Sequence, residues 1–190
     1  MLIVAAVVAV APARAWTPPT AAVARLDRGE VVAEVLPDEG RSTGIVHGAV
    51  DIVAPADVVW AIITDCAHAH RLTSTVKSCR ILAADARAGW EVRDGVLDYG
   101  FSVPLVHGVV RSDYLRPRQI SFHCLPGGNV TACAGDWRLS ALPDGRLRVI
   151  YESWTAVPLP TPGFMIRARL KREITDVLSS LRRQATESTR

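Results

Sequence analysis

The sequence lacks several features by which common classes of protein are recognised. It has no internal repeat, low-complexity segment or block of like charge. Its 22 basic and 19 acidic residues leave a net charge of +3, which is too small to predict nucleic-acid binding. There is no glycine-rich loop that could hold phosphates and no nucleophile-elbow motif. A phosphate-loop enzyme and a hydrolase with that motif are therefore not predicted.

Only the N-terminus has a long apolar run, and it is too short to cross a bilayer. Residues 2–11 are uniformly apolar, and Ala13-Arg14-Ala15 has the small-x-small form that signal peptidase prefers. No Lys or Arg precedes the run, and a buried N-terminal helix or strand is the alternative. We predict a signal peptide over residues 1–15, a mature chain that begins at Trp16, and a periplasmic or secreted protein.

If the protein is exported, its four cysteines are expected to form two disulfides, because such bonds persist in oxidising compartments. Two strands are predicted around the turn residues 126–129, and a two-residue turn at Gly128-Asn129 places Cys124 opposite Cys133. Cys66 then pairs with Cys79. Free buried thiols are the alternative to these two disulfides.

Hydrophobic periodicity and turn residues divide the rest of the chain. Residues 16–42 read as a loosely ordered lead-in with a possible short strand at 29–36. A long strand at 43–54 is followed by a helix from Pro55 and a second short helix or turn at 67–72. Alternation then predicts six strands, at 75–84, 89–98, 105–115, 119–125, 130–141 and 146–157. An amphipathic helix from Gly163 to Thr186 completes an α+β domain.

Three segments resemble the START-like superfamily, which includes polyketide cyclases and coenzyme-Q-binding proteins. They are APADVVWAIITD at 54–65, the hairpin at 135–151, and the closing helix at 166–181. The resemblance implies a helix-grip fold over residues 43–186. In that fold a curved antiparallel sheet of about seven strands wraps round a long C-terminal helix, and two short helices follow the first long strand.

The resemblance also implies an apolar cavity between the sheet and the last helix. Core packing is the alternative role for the aromatic residues among the candidates. The candidate lining residues are Trp60, Trp137, Tyr151, Phe164, Met165, Ile166, Leu170 and Ile174.

Polar residues inside predicted strands are the candidates for chemistry. His107, Arg111 and Asp113 share one face of a strand with period two, and Tyr99 precedes that strand. If the face points inward, these residues could act as acid and base on a ligand. If it points outward, they form a solvated ladder of ion pairs, which is the favoured alternative.

Other ligands and partners have weaker support in the sequence. Cys66, His68 and His70 have side chains that bind zinc, but their spacing of two suits no common structural motif, so no metal site and no cofactor are predicted. The basic face of the last helix could contact anionic lipid transiently, although a solvated face is the simpler interpretation. A monomer is expected.

These observations favour an exported protein that binds a hydrophobic small molecule, of lipid, quinone or polyketide type. A cyclase- or aromatase-like enzyme is the first alternative. A non-catalytic envelope interaction module is the second, and it predicts a filled core with no cavity larger than a water molecule. Binding without catalysis is favoured, and the question of enzymatic activity stays open.

Overall fold

A computed structural model describes residues 15–38, 41–100, 103–156 and 161–189. The predicted signal peptide lies outside these residues except for Ala15. The three α-helices are α1 (Thr20–Asp27), α2 (Ala56–Thr64) and α3 (Gly163–Glu187), and a 3₁₀ turn spans Ala69–Arg71. The strands are β1 (Val32–Asp38), β2 (Arg41–Ile52), β3 (Val76–Asp85), β4 (Trp90–Leu97), β5 (Val106–Leu115), β6 (Gln119–Gly128), β7 (Ala132–Ala141) and β8 (Leu147–Ala156).

All eight strands form one antiparallel sheet in the order β1-β2-β8-β7-β6-β5-β4-β3. Strands β3 to β8 are a meander of hairpins, and β8 pairs with β2 to bring the two ends of the chain together. This architecture confirms the predicted helix-grip fold. The predicted number of about seven strands was too low by one, because the possible short strand before the long one is a full member of the sheet.

Turn chemistry fixes the ends of these strands. Between β7 and β8, Gly145 has φ +85°, in the left-handed region that glycine adopts without strain. The Asp144 carboxylate accepts a hydrogen bond of 3.0 Å from the backbone N–H of Arg146 in the same turn. The predicted break at Pro143-Asp144-Gly145 thus has a local physical cause.

The C-terminal half of α3 packs into the sheet and completes the core. Ile174, Leu178 and Leu181 are buried against β2 and α2. The close approach depends on Gly48, since a Cβ atom there would lie 2.9 Å from Ile174 Cγ1 and from Leu178 Cδ1. The apolar stripe predicted from periodicity is therefore the buried face of this helix.

The segment before β1 is more ordered than expected. Residues 20–27 form α1, which was not predicted, and its Ala22 and Leu26 are buried against Val32 and Ala49. This packing covers the outer face of the sheet, opposite to α3. An eight-residue helix has little stability of its own, so tertiary burial holds it in place.

The structure contains both predicted disulfides, Cys66–Cys79 and Cys124–Cys133. The predicted two-residue turn is not present, because β6 continues to Gly128 and pairs there with β5, while β7 begins at Ala132. The register is nevertheless the one that places Cys124 opposite Cys133. Within the described ranges, no helix combines the length and the apolar character needed to cross a membrane.

Candidate functional site: an apolar cavity under the last helix

A cavity of about 660 Å³ lies between the N-terminal half of α3 and the inner faces of the strands. Its volume falls within the range of about 300–1,000 Å³ that is typical of small-molecule sites. The wall is mainly apolar, and its larger members are Ile63, Leu97, Val103, Val106, Val110, Ile120, Phe122, Val130, Trp137, Met165, Ile166 and Leu170.

The cavity exists because the two halves of α3 face different parts of the sheet. The C-terminal half fills the space over β2, whereas the N-terminal half lies over β3 to β8 and leaves that space open. Met165 lines the cavity and is 48% exposed, so it lies at the opening. Arg169 and Arg172 also line the cavity and are exposed, which gives the opening a basic rim.

A polar cluster lies on the wall of this apolar space, centred on Arg93. Its guanidinium donates to the buried Glu91 carboxylate, to the Thr64 carbonyl oxygen at 2.6 Å, and to the Tyr114 hydroxyl at 3.4 Å. Both Arg93 and Tyr114 line the cavity. Because Glu91 balances the charge of Arg93, the cluster keeps hydrogen-bond donors beside the cavity without an unpaired buried charge.

The tyrosines around the cavity are protonated, and therefore uncharged, at physiological pH. Burial raises the pKa of Tyr99, and the nearby Glu173 carboxylate raises it further. Burial also raises the pKa of Tyr114, with an added contribution from Glu91. The pKa of Tyr151 is raised chiefly by burial. A phenol with a raised pKa stays protonated, so it can donate a hydrogen bond but does not supply a phenolate base.

A cluster of aromatic rings lies at one wall of the cavity. Trp137 lies 4.5 Å from Tyr151, and Phe122 lies 6.2 Å from the same ring, between ring centroids. Gly135 leaves room for this arrangement, since a Cβ atom there would meet Phe122 Cζ and the Glu152 carbonyl oxygen at 2.4 Å. The aromatic wall therefore depends on a glycine in β7.

A hydrogen-bonded contact fixes α3 next to the cavity. The Thr73 and Thr75 hydroxyls both donate to Glu173 Oε1 at 2.5 Å. They join the middle of α3 to the loop before β3. The helix before Glu173 roofs the cavity, and the helix after it belongs to the core.

The predicted chemical residues are divided between the two faces of the sheet. Tyr99 lines the cavity, whereas His107, Arg111 and Asp113 point to the opposite face of β5. There His107 contacts Asp94 at 2.5 Å, and Arg111 pairs with Asp113 at 2.9 Å and lies over the Trp90 ring. The structure thus agrees with the ion-pair ladder, and these three side chains do not meet a ligand in the cavity.

The predicted lining residues also differ in position. Trp137, Met165, Ile166 and Leu170 line the cavity, and Tyr151 supports it through Trp137. Three others do not line it. Trp60 is a core residue in edge contact with Tyr114, Ile174 is a core residue of α3, and Phe164 is 67% exposed at the start of that helix.

Sequence reasoning missed Arg93 and the β3 side of the opening, and it gave Tyr114, a polar residue inside a predicted strand, no specific role. In β4 the polar residues Glu91 and Arg93 face inward, while Trp90 and Val92 face outward. This is the reverse of the polarity that a strand with one solvent face usually shows. The signal that the sequence offered for this cluster was an Arg and a carboxylate two residues apart, which share one face of a strand.

Within the described lining, no Asp, Glu or His side chain faces the cavity. Among the described residues there is also no group of three His, Cys, Asp or Glu side chains that could hold a metal ion. Cys66 is in a disulfide, and His68 contacts Asp65 at 2.7 Å.

Solved structures from bacteria and humans share this fold. The aromatase/cyclase Zhui from Streptomyces sp. R1128 has a TM-score of 0.64 and 19% identity, with 77% of this chain and 95% of that chain covered. A STAR-related lipid transfer protein from Xanthomonas axonopodis has a TM-score of 0.70 and 17% identity, covering 82% and 93%. Human StAR-related lipid transfer protein 5 has a TM-score of 0.68 and 12% identity, covering 85% and 84%.

No curated protein matches the sequence. A family model does match, over residues 43–186, and its description is "Polyketide cyclase / dehydrase and lipid transport". That range contains β3 to β8, α2 and nearly all of β2 and α3, and with them the whole described wall of the cavity. The chain therefore belongs to the polyketide cyclase/dehydrase and lipid transport family.

Proposed function

We propose that this protein binds one hydrophobic small molecule, of lipid, quinone or polyketide type, in the cavity under α3. The observation that carries the proposal is the cavity itself, about 660 Å³ enclosed mainly by apolar side chains. The Zhui aromatase/cyclase and the lipid transfer proteins with the same fold support this class of ligand. A filled interaction module would have no such cavity.

Burial of apolar surface is sufficient to hold such a ligand. At about 25 cal/mol per Å², enclosing a few hundred Å² of apolar ligand contributes on the order of 10 kcal/mol before the costs of association. At the low end of those costs, about 4 kcal/mol, roughly 6 kcal/mol remains, which corresponds to a dissociation constant of tens of micromolar. Apolar burial alone therefore suffices for detectable binding, and polar contacts can strengthen it.

The Arg93 cluster adds a preference for a ligand with an acceptor oxygen. Arg93 and Tyr114 both carry N–H or O–H groups beside the cavity, and the raised pKa keeps the Tyr114 hydroxyl protonated. A carbonyl, carboxylate or hydroxyl oxygen of the ligand can accept from them. Hydrogen bonds to charged groups contribute about 1.5–3 kcal/mol, which is enough to orient the molecule.

A cyclase-like reaction has less support in this geometry. Such chemistry needs a base in contact with the ligand, and the described lining offers tyrosines of raised pKa and arginines but no carboxylate or imidazole. Tyr99 and Tyr114 could polarise a ligand carbonyl as neutral donors. Turnover of a polyketide-like compound by the purified protein would support the enzyme alternative.

We also infer that the protein works outside the cytosol, in a periplasmic or secreted location. The two disulfides support this inference, since such bonds persist in oxidising compartments. The N-terminal apolar run with its small-x-small site adds a route of export.

Transient contact with a membrane would let a lipid enter through the opening. Phe164 and Met165 are 67% and 48% exposed at the start of α3, and Arg169 and Arg172 lie on the cavity rim with Met165. Apolar side chains beside cations are suited to the interface of an anionic bilayer. Phe164→Glu should reduce sedimentation with phosphatidylglycerol vesicles, whereas Leu36→Glu, at an exposed site in β1, should not.

The binding proposal is tested by filling the cavity. Val110 faces the cavity from β5, and Leu115 lies on the outward face of the same strand at 58% exposure. Val110→Trp should abolish the fluorescence enhancement of 1-anilinonaphthalene-8-sulfonate, and Leu115→Trp should retain it. Equal enhancement in both variants, with native circular dichroism, would show that the probe binds elsewhere.

A further inference from the structure

Trp16 is held on the outer face of the sheet by three different strands. Its backbone nitrogen donates to Glu152 Oε2 at 2.6 Å, and its carbonyl oxygen accepts from Arg138 Nη2 at 2.7 Å. Its indole stacks on the buried His47 ring, with centroids 4.6 Å apart and planes inclined by 12°. Such a set of contacts is unusual at the start of a lead-in segment, because the ends of a chain are ordinarily poorly ordered.

The charges around this site favour a cation at the backbone nitrogen of Trp16. Cross-strand pairing places Glu34, His47, Glu152 and Asp136 side by side on four neighbouring strands. Three of these four are carboxylic acids, and Arg138 is the basic residue that contacts Glu152, at 3.4 Å. A neutral peptide N–H leaves this row with an excess of negative charge, whereas an ammonium group would offset it.

We propose that Trp16 is the mature N-terminus and that its free α-ammonium group forms an ion pair with Glu152. Signal peptidase would hydrolyse the Ala15–Trp16 amide. The C–N bond breaks, water supplies a hydroxyl to the Ala15 carbonyl carbon and a hydrogen to the Trp16 nitrogen, and the amine takes up a proton. Ala15 is exposed and Trp16 is half-buried, so the cleaved bond lies where the anchored segment begins.

The ion pair would hold Trp16, and with it the segment that leads into α1, against the sheet. Trp16 and Ile150 pack against the small cluster of Ala22, Leu26, Val32 and Ala49 through which α1 covers β1 and β2. Glu152 belongs to β8, the strand that also carries Tyr151. Cleavage would thus convert this contact into an ion pair on the outer face of a strand whose inner face supports the cavity, and the precursor would have only the neutral hydrogen bond there.

The first test is the chemical state of the amine. The full chain is expressed with export, and intact mass and N-terminal sequencing must give Trp16 as the first residue. The Trp16 Cα chemical shift in [13C]Trp-labelled protein then reports the pKa of the α-amine. Glu152, Asp136 and Glu34 should raise it and Arg138 should lower it, with His47 stacked beside. We expect a pKa at least about one unit above the usual 7.7–8.0.

The second test separates the ion pair from an ordinary peptide hydrogen bond. Glu152→Gln is made in the exported protein and in one with Gly-Ser inserted between Ala15 and Trp16, so that Trp16 N is again an amide after cleavage. The loss of Tm from Glu152→Gln should be at least twofold larger without the insertion. Glu30→Gln, at an exposed carboxylate paired with Arg25, should behave alike in both. Cleavage elsewhere, an ordinary pKa, or equal losses would overturn the proposal.

Discussion

The Arg93 guanidinium lies 3.4 Å from the Tyr114 hydroxyl, across the inner faces of two neighbouring strands. Two further contacts fix the positions of these side chains. Glu91 forms an ion pair with Arg93, and the Trp60 ring contacts Tyr114 edge-on, with the ring centroids 5.5 Å apart. The guanidinium also donates to the Thr64 carbonyl oxygen, at the end of α2. This polar cluster is therefore preorganised by core residues.

Replacing Arg93 tests whether this cluster contributes to affinity. Arg93→Met keeps the volume of the side chain and removes its donors. Because a hydrogen bond to a charged group contributes about 1.5–3 kcal/mol, we expect the Kd of 11-(dansylamino)undecanoic acid to rise about tenfold or more. Fluorescence titration measures the change.

Two controls separate affinity from folding in that experiment. Arg87→Met lies in the exposed β3–β4 turn and should leave the Kd unchanged. Glu91→Gln with Arg93→Met removes the buried carboxylate that the single variant leaves unpaired. An unchanged Kd in the folded double variant would show that the cluster is structural and does not bind the probe.

Gly48→Ala should loosen α3 from the sheet. The new methyl group would lie 2.9 Å from Ile174 and from Leu178, closer than Cβ atoms normally approach their neighbours. Overpacking of this kind costs about 1–3 kcal/mol of the free energy of unfolding. Urea denaturation measures it, and Gly95→Ala in β4, where the nearest atom to a new Cβ would be the Ser78 carbonyl oxygen at 3.8 Å, tests the general cost of a methyl group in a strand. A loss at Gly48 no larger than at Gly95 would contradict the close packing of α3.

Asp51→Asn should destabilise the protein strongly. Asp51 is buried and accepts two hydrogen bonds from Arg148, at 2.7 and 2.8 Å, and these bonds raise the pKa of Arg148. Arg146 also pairs with Asp51, at 3.1 Å, and is partly exposed. Breaking a buried ion pair leaves the other charge uncompensated and costs about 3–5 kcal/mol, and the lower end is expected here because water can reach Arg146. Asp144→Asn, at an exposed partner of Arg146, should cost little. Equal losses in the free energy of unfolding for the two variants would contradict the role of Asp51 as the buried carboxylate of this ion-pair cluster.

Asp94 should contribute stability that acid removes. The hydrogen bond from His107 lowers the pKa of Asp94, burial opposes this, and Arg80 lowers it further. A carboxyl whose pKa is lower in the folded state stabilises the fold above its unfolded value, about 3.9, and loses that contribution as the pH falls through the folded value. Asp94→Asn should therefore reduce Tm at about pH 6 and have little effect near pH 2.5. A difference that persists in acid would show that Asp94 acts through packing alone.

The sequence was a good guide wherever local chemistry decides the structure. Alternating apolar residues and turn residues such as Pro143-Asp144-Gly145 placed β3 to β8 within a few residues of their observed bounds. The register of the β6–β7 hairpin correctly predicted the Cys124–Cys133 disulfide even though the turn itself is different.

Elements that depend on tertiary contacts were harder to predict. The α1 helix has no side-chain cap, and Ala22 and Leu26 stabilise it only by packing on the sheet. The Arg93 cluster was missed because β4 presents its polar residues to the inside. Which face of a strand meets the cavity is decided by the pairing of the whole sheet, and alternation alone gives two equal phases.

The central claim is that a hydrophobic molecule occupies the cavity under α3. Native mass spectrometry of the exported protein, followed by organic extraction, tests it most directly, with Val110→Trp and Leu115→Trp measured beside the natural sequence. We expect a hydrophobic species at close to one per chain in the natural protein and in Leu115→Trp, and its loss in Val110→Trp. Bare protein in all three samples, with no mass shift after incubation with a panel of lipids and quinones, would contradict it.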